Sequence, residues 1–418
     1  VAPVSMSPTP VPSGSPERSR AAWVVVVFTG VVAAMHIWKL PAALPIIQEQ
    51  LGISLVDAGL LLGTVQISGM LGGVLVSLFA EINGLRRSVL IGLALIVVGT
   101  IMSMLSSTFL WLLAARFVEG CGFLAASIVA PALIRRVSPL SSMNTAIGFW
   151  ASFQGQATFA GIIGSTIALH FMSWQGWYGI MLAVTLLPVG LVLKFIPADP
   201  PREAHDSSGV VVPALARIRV TASSWKPWVA GLVFLCYTVQ WISIIGFLPT
   251  IYLEAGITGW LSGVLTAVAG GANAVGAVVA GSLIKRGFSV IQLVIPTFIV
   301  MAAMSVLTFA VDWSGIPGGF VIQFCAVVTF SLVGALIPSS LTRLSVELTP
   351  PGGSPPAVMG LMQQIYMMGS VFGPAIMAWL ATSTGHWDST WWMSAFFSCV
   401  GISLALLLTP RRLQLDLR

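Results

Sequence analysis

The sequence predicts an all-α integral membrane protein of twelve transmembrane helices in two pseudo-symmetric six-helix bundles, and three observations predict it. Of the 19 lysines and arginines, all but Lys39 and Arg116 lie at or between the ends of long apolar stretches. Each stretch approaches the roughly 20 apolar residues that a helix needs to cross a bilayer's hydrocarbon core. The composition, 57% hydrophobic and 8% charged, lies far from the soluble range, where about a quarter of residues carry charge.

The spans run, in order, over 21–47, 56–80, 88–106, 109–134, 144–170, 174–196, 227–251, 259–284, 290–311, 316–341, 357–381 and 389–409. Residues 1–20, rich in proline and serine, read as a disordered cytoplasmic tail rather than a signal peptide, because no apolar run and small-residue cleavage site follow a basic start. Residues 21–196 form the first bundle, 197–226 a polar cytoplasmic linker, 227–410 the second bundle, and 411–418 a cytoplasmic tail. With the N-terminus inside, every inward connection carries a base (Arg86 and Arg87, Arg135 and Arg136, Lys194 to Lys226, Lys285 and Arg286, Arg343), and no outward connection does. Such an excess of bases marks the cytoplasmic side, so both termini are expected there. The net charge of +6 is spread over these loops and faces anionic lipid, so it does not indicate nucleic acid. Cys121, Cys236, Cys325 and Cys399 all fall within spans, which excludes a disulfide framework in the outward loops.

The two halves repeat. LPIIQEQLGIS from Leu44 returns 204 positions later as LPTIYLEAGIT from Leu248, and Gly59 and Gly72 then meet Gly263 and Gly276 without a gap. Phe123, Pro131 and Arg136 match Phe330, Pro338 and Arg343, while Gly148 and Gly161 match Gly360 and Gly373.

Between spans two and three stand Ser77, Glu81, Gly84, Arg86 and Arg87; span four carries Arg116, Glu119 and Gly120. These resemble two signatures of the major facilitator superfamily, with serine replacing the usual first glycine and glutamate the usual aspartate. The opening KLPAALPIIQEQLGISLVDAGLLL further resembles the bacterial cyanate and nitroimidazole-type transporter branch. The resemblance covers residues 21–410 and implies a bacterial inner-membrane transporter in which parallel halves hold solute between them near mid-membrane. It also implies a gating role for Glu81, Gly84, Arg86 and Arg87 as a latch joining the halves on the cytoplasmic side.

Interior charge is costly and faces a cavity or a partner. His36 and Lys39, spaced by three, share a face of helix one, as Arg116 and Glu119 do on helix four. The family resemblance sends helices one, four, seven and ten to the cavity, so both pairs are expected to meet there. Alternatively, Arg116 and Glu119 steady helix four alone, Lys39 snorkels outward, and His36 bonds a neighbouring helix. Gln240, Ser243 and Gln323 stand opposite His36, Lys39 and Arg116 in the repeat. Tyr237, Trp241, Asn273, Gln363 and Tyr366 add polar and aromatic surface in the second half, with Gln66, Trp150 and Gln154 in the first. Some of these are expected to be interhelical glue or interface anchors instead.

No Walker loop and no cysteine and histidine cluster of metal-ligand spacing is present, so no enzymatic activity, ATP, cofactor or metal is expected. The expected activity is that of a monomeric secondary transporter with two partners, a small solute and protons. One net positive charge from Lys39, Arg116 and Glu119 points to an anionic solute, with Glu119 or His36 coupling its uptake to protons. Proton-driven efflux of a hydrophobic or weakly basic compound is the alternative.

Overall fold

The computed structural model describes residues 20–199, 216–313, 315–353 and 355–408. Much of the 197–226 linker and both terminal tails therefore lie outside the described residues. The expected first span, 21–47, is not one helix: α1 (Arg20–Trp38) stops, and the chain resumes as α2 (Leu44–Leu51). Pro41 lacks an N–H and pushes Leu40 away from helical backbone, so the ladder fails there. Pro45, in contrast, falls in the first turn of α2, where a missing N–H is tolerated.

The second span is also broken. α3 (Leu55–Thr64), opened by a capping box between Ser54 and Asp57, bends by 41° into the start of α4 (Ile67–Asn83). α5 (Leu85–Met104), α6 (Phe109–Val137), α7 (Met143–Ala151), α8 (Phe153–Phe171) and α9 (Trp174–Phe195) complete the first half. The second half contains α10 (Trp225–Glu254), α11 (Gly259–Lys285), α12 (Val290–Phe309), α13 (Gly319–Gly334), α14 (Leu336–Glu347), α15 (Pro355–Thr384) and α16 (Trp391–Leu407). Among the described residues 10 helices are long and apolar enough to cross a membrane, or up to 11 with the bent pair. The twelfth span is α7 with α8, whose apolar run is thinned by Gln154 and Gln156.

The halves meet where α15 packs on α3 and α4 and where α8 packs on α11. Gly63 against Val371 and Gly155 against Ala274 come so close that neither position has room for a Cβ. Gly72, matched to Gly276 by the repeat, has nothing near it and serves no such approach.

The repeat extends to hydrogen bonds. His36 meets Thr185 at 2.7 Å, and Gln240, 204 positions on, accepts from Ser398, 213 positions beyond Thr185. Trp174 donates to Gln50 at 2.7 Å, and Trp387 donates to Glu254 at 2.6 Å with the same two offsets. Each half thus ties its first helix to its last in the same two places.

Candidate functional site

The four interior charged and titratable residues do meet. Lys39 Nζ lies 2.5 Å from Glu119 Oε1, and Arg116 donates to Glu119 Oε2 at 2.7 Å. Thr100 and Ser103 of α5 also donate to Oε1, at 3.1 and 3.3 Å. Lys39 completes its shell with His36 Nδ1 at 3.2 Å, Thr100 at 3.4 Å and the Tyr178 ring at 3.9 Å. Thr185 donates its hydroxyl hydrogen to Met181 O, so the 2.7 Å contact with His36 is a donation from Nε2–H, and Nδ1 is left to accept from Lys39. That assigns a neutral imidazole with the proton on Nε2.

The location of this cluster differs from the expectation. His36, Lys39, Thr100, Ser103, Arg116, Glu119, Tyr178 and Thr185 all show 0% exposure. The partners come from α5 and α9 as well as α1 and α6, so the cluster sits inside the first bundle instead of lining the space between halves. Lys39 does not snorkel, and Arg116 does more than steady α6. Its guanidinium donates to His36 O at 2.6 Å and Ile37 O at 3.4 Å. Helix one ends at these carbonyls, and a helix end in a membrane has no water to satisfy it. Trp177 donates to Lys39 O at 3.3 Å and extends the same cap.

A neutral network occupies the seam between the halves. Trp38 meets Trp241 edge to face at 5.2 Å; Trp241 donates to Ser331 at 2.9 Å. Asn273 donates to the Tyr237 hydroxyl at 3.0 Å and to Ser331 O at 3.1 Å. Gln66 is buried at the bend between α3 and α4, and Gln363 lies one turn from Tyr366 on α15. The Oε1 atoms of Gln66 and Gln363 and the Nε1 of Trp38 are buried with no hydrogen-bond partner among the described residues. Gln154 is half-buried, and half-buried Trp150 stacks on Phe153 at 4.3 Å and covers Gly30.

Two residues named from the repeat are turned elsewhere. Gln240 donates to Cys236 O at 2.7 Å and accepts from Ser398, which binds α10 to α16. Gln323 donates to Thr308 O at 2.7 Å on α12, so it is no counterpart of Arg116.

At the basic end, the described bonds of Arg86 and Arg87 go to the first bundle and to Asp199 at the start of the linker. Asp199, just beyond α9, accepts the backbone N–H of Arg86 at 3.2 Å and of Arg87 at 3.0 Å. Arg136 adds a 2.7 Å ion pair, and the Arg86 guanidinium donates to Leu193 O at 2.8 Å. Gly84 (φ +93°) precedes α5 directly beneath the Asp199 carboxylate, so a Cβ there would be both strained and obstructed. The Glu81 side chain lies outside the described residues. Asp199 is the partner of this basic loop that sequence reasoning missed; its one signal was an acid next to prolines at a span's end.

Burial of Asp199 alone would raise its pKa, but the N–H groups of Arg87 and Arg86 and the Arg136 guanidinium outweigh it and hold the carboxyl below its ordinary value. Its contribution to stability is therefore present above the ordinary carboxylate range and lost as pH falls through the lowered folded value. Asp199→Ala should remove about 1–2 kcal/mol, the worth of a helix N-cap acceptor, and flatten the acid limb of a thermal unfolding profile. An unchanged midpoint and acid limb would show that Asp199 holds nothing.

A sequence profile described as Major Facilitator Superfamily matches residues 26–363. An uncharacterised MFS-type transporter of Mycobacterium tuberculosis is 26% identical over 82% of this chain and 49% of its own length. The chain thus spans about half the length of that curated relative. Polyol transporter 5 of Arabidopsis thaliana is 25% identical over 43% of this chain and 33% of its own. The crystal structure of a D-xylose-proton symporter superposes with a TM-score of 0.72 at 14% identity, covering 93% of this chain and 97% of that one. All three are transporters by name and not enzymes. With the profile matched across most of both halves, the chain belongs to the Major Facilitator Superfamily.

Proposed function

We propose that this protein is a secondary active transporter that moves a small, uncharged, hydroxyl-bearing solute between its halves by alternating access, with the enclosed charge cluster coupling the movement to protons. The observation that carries this reading is the set of orphaned atoms near the seam. Gln66 Oε1 and Gln363 Oε1 need donors, and Trp38 Nε1 needs an acceptor. An unsatisfied buried polar atom costs about 1–3 kcal/mol, and a polyol hydroxyl can both donate and accept. The names of the polyol transporter and the xylose symporter point to the same solute class.

An anionic solute is the second reading, favoured by one net positive charge in the cluster. It is weaker because both cations already hold Glu119, although Arg116 Nε is buried with no partner among the described residues and is a donor an anion could use. Formate, cyanate and nitrate also bring no hydrogen-bond donor to the two glutamine oxygens. A thermal-shift screen separates the readings, since a ligand that binds the native state stabilises it. Polyols and simple sugars should raise the unfolding midpoint where formate, cyanate and nitrate do not; the reverse pattern restores the anion and the cyanate-type branch. Gln66→Leu and Gln363→Leu should each weaken binding of the best polyol by about ten-fold, one lost hydrogen bond, without lowering stability. Unchanged affinity in both would place the solute elsewhere.

Orientation in the bacterial inner membrane follows from the loop charges, with the basic end cytoplasmic. In a cysteine-free background, a cysteine at exposed Gly315 should react with an impermeant maleimide added to intact cells, and one at exposed Phe288 should not. The opposite result would invert the orientation.

A further inference from the structure

Besides the Arg116 cap, the enclosed end of helix one is held by one face of α9. Trp174, Trp177 and Tyr178 fall at spacings of three and four along α9, which places them on one side of the helix. Each engages a different point of the broken segment: the Tyr178 ring covers Lys39 Nζ at 3.9 Å, Trp177 donates to Lys39 O at 3.3 Å, and Trp174 donates to Gln50 at 2.7 Å. All three are buried, and Trp174 meets Tyr178 edge to face at 5.3 Å, so the set is rigid. The second half keeps only the outermost contact, Trp387 to Glu254. There Thr390 and Trp391 follow at the positions of Trp177 and Tyr178, and α10 runs unbroken from Trp225 to Glu254. The extra clamping therefore accompanies the helix break and is missing where the helix is continuous.

We propose that Trp174, Trp177 and Tyr178 are positioning residues that fix the broken end of helix one, and that breaking the Trp174 to Gln50 hydrogen bond frees α2 to swing about the Lys39–Ala43 break at the base-free end. Trp177 and Tyr178 keep Lys39 seated on Glu119 while Trp174 holds the far end of the lever. α2 is short; Leu44 and Ile47 are buried, Ile46 and Leu51 pack against the same core, and the Trp174 to Gln50 hydrogen bond adds a polar tie at its far end.

The test replaces the free cysteines Cys121, Cys236, Cys325 and Cys399 with serine and introduces Ile47→Cys, at a position whose side chain is fully enclosed. The protein is placed in lipid nanodiscs, where both faces meet the maleimide and orientation has no influence. Trp174→Phe keeps the ring and removes the donor. It should accelerate labelling of position 47 by about ten-fold, the opening expected from losing one hydrogen bond of about 1.4 kcal/mol. Gln50→Leu should match it, and Gln50→Glu, which keeps an acceptor as Glu254 does, should label at the parental rate. Trp387→Phe should leave position 47 unaffected. Parental labelling in Trp174→Phe, or equal acceleration by Trp387→Phe, overturns the proposal. Because no solute enters the assay, its failure leaves the transport reading untouched.

Discussion

Glu119→Ala should lower stability by about 3–5 kcal/mol, the range for removing one partner from a buried charge pair. The loss is large because Lys39 and Arg116 share this carboxylate at 2.5 and 2.7 Å with no exposure to solvent. Both cations would remain enclosed without a counter-charge. The pairing itself need not be strongly stabilising, since taking charges out of water offsets their attraction. A double-mutant cycle exposes the difference: Lys39→Met with Glu119→Gln should lose less than the two single changes summed. Denaturation in detergent micelles, read by tryptophan fluorescence, measures it. A cost below about 1 kcal/mol for Glu119→Ala, the level of an exposed pair, would mean that water reaches the cluster.

Arg116→Lys, which keeps the charge, should fail almost as badly as Arg116→Leu, with a loss of about 3 kcal/mol or more. Arg116 bridges Glu119 and the last carbonyls of helix one through separate N–H groups, and a lysine's single ammonium head is too compact to reach both. The loss should appear both as lower stability and as faster labelling of a cysteine placed at position 47, because the cap that ends helix one where Pro41 breaks it would be gone. Full rescue by lysine would reduce Arg116 to a point charge.

Hydropathy made the spans legible, and the 204-residue offset made the pairing of the halves legible, because both are properties of the apolar pattern. It was blind to the break at 39–43, since Pro41, Ala42 and Ala43 are apolar and only the prolines signalled it. The spacing of His36 and Lys39 correctly placed them on one face. It could not say which face, because α1 is apolar on every side and has no polar stripe to orient it. Their inward direction is set by the hydroxyls of Thr100 and Thr185 and the ring of Tyr178 on neighbouring helices, residues that carry no pattern of their own. Gln323 shows the limit of the repeat: equivalent position did not preserve direction once its amide found Thr308 O. Trp174 and Trp387 were recoverable from the repeat but only with both offsets in view, and Asp199 required contacts from two separate segments.

We propose that proton coupling resides in the enclosed cluster of the first half and that the solute is held apart from it at the seam. In proteoliposomes carrying the polyol that gives the largest thermal shift, Glu119→Gln should still exchange labelled for unlabelled solute across the membrane. Under an imposed pH gradient it should equilibrate the solute without concentrating it, whereas the parent should accumulate it several-fold. Accumulation by Glu119→Gln equal to that of the parent would contradict the claim, leave the carboxylate a structural role only, and make His36 the next proton site to test.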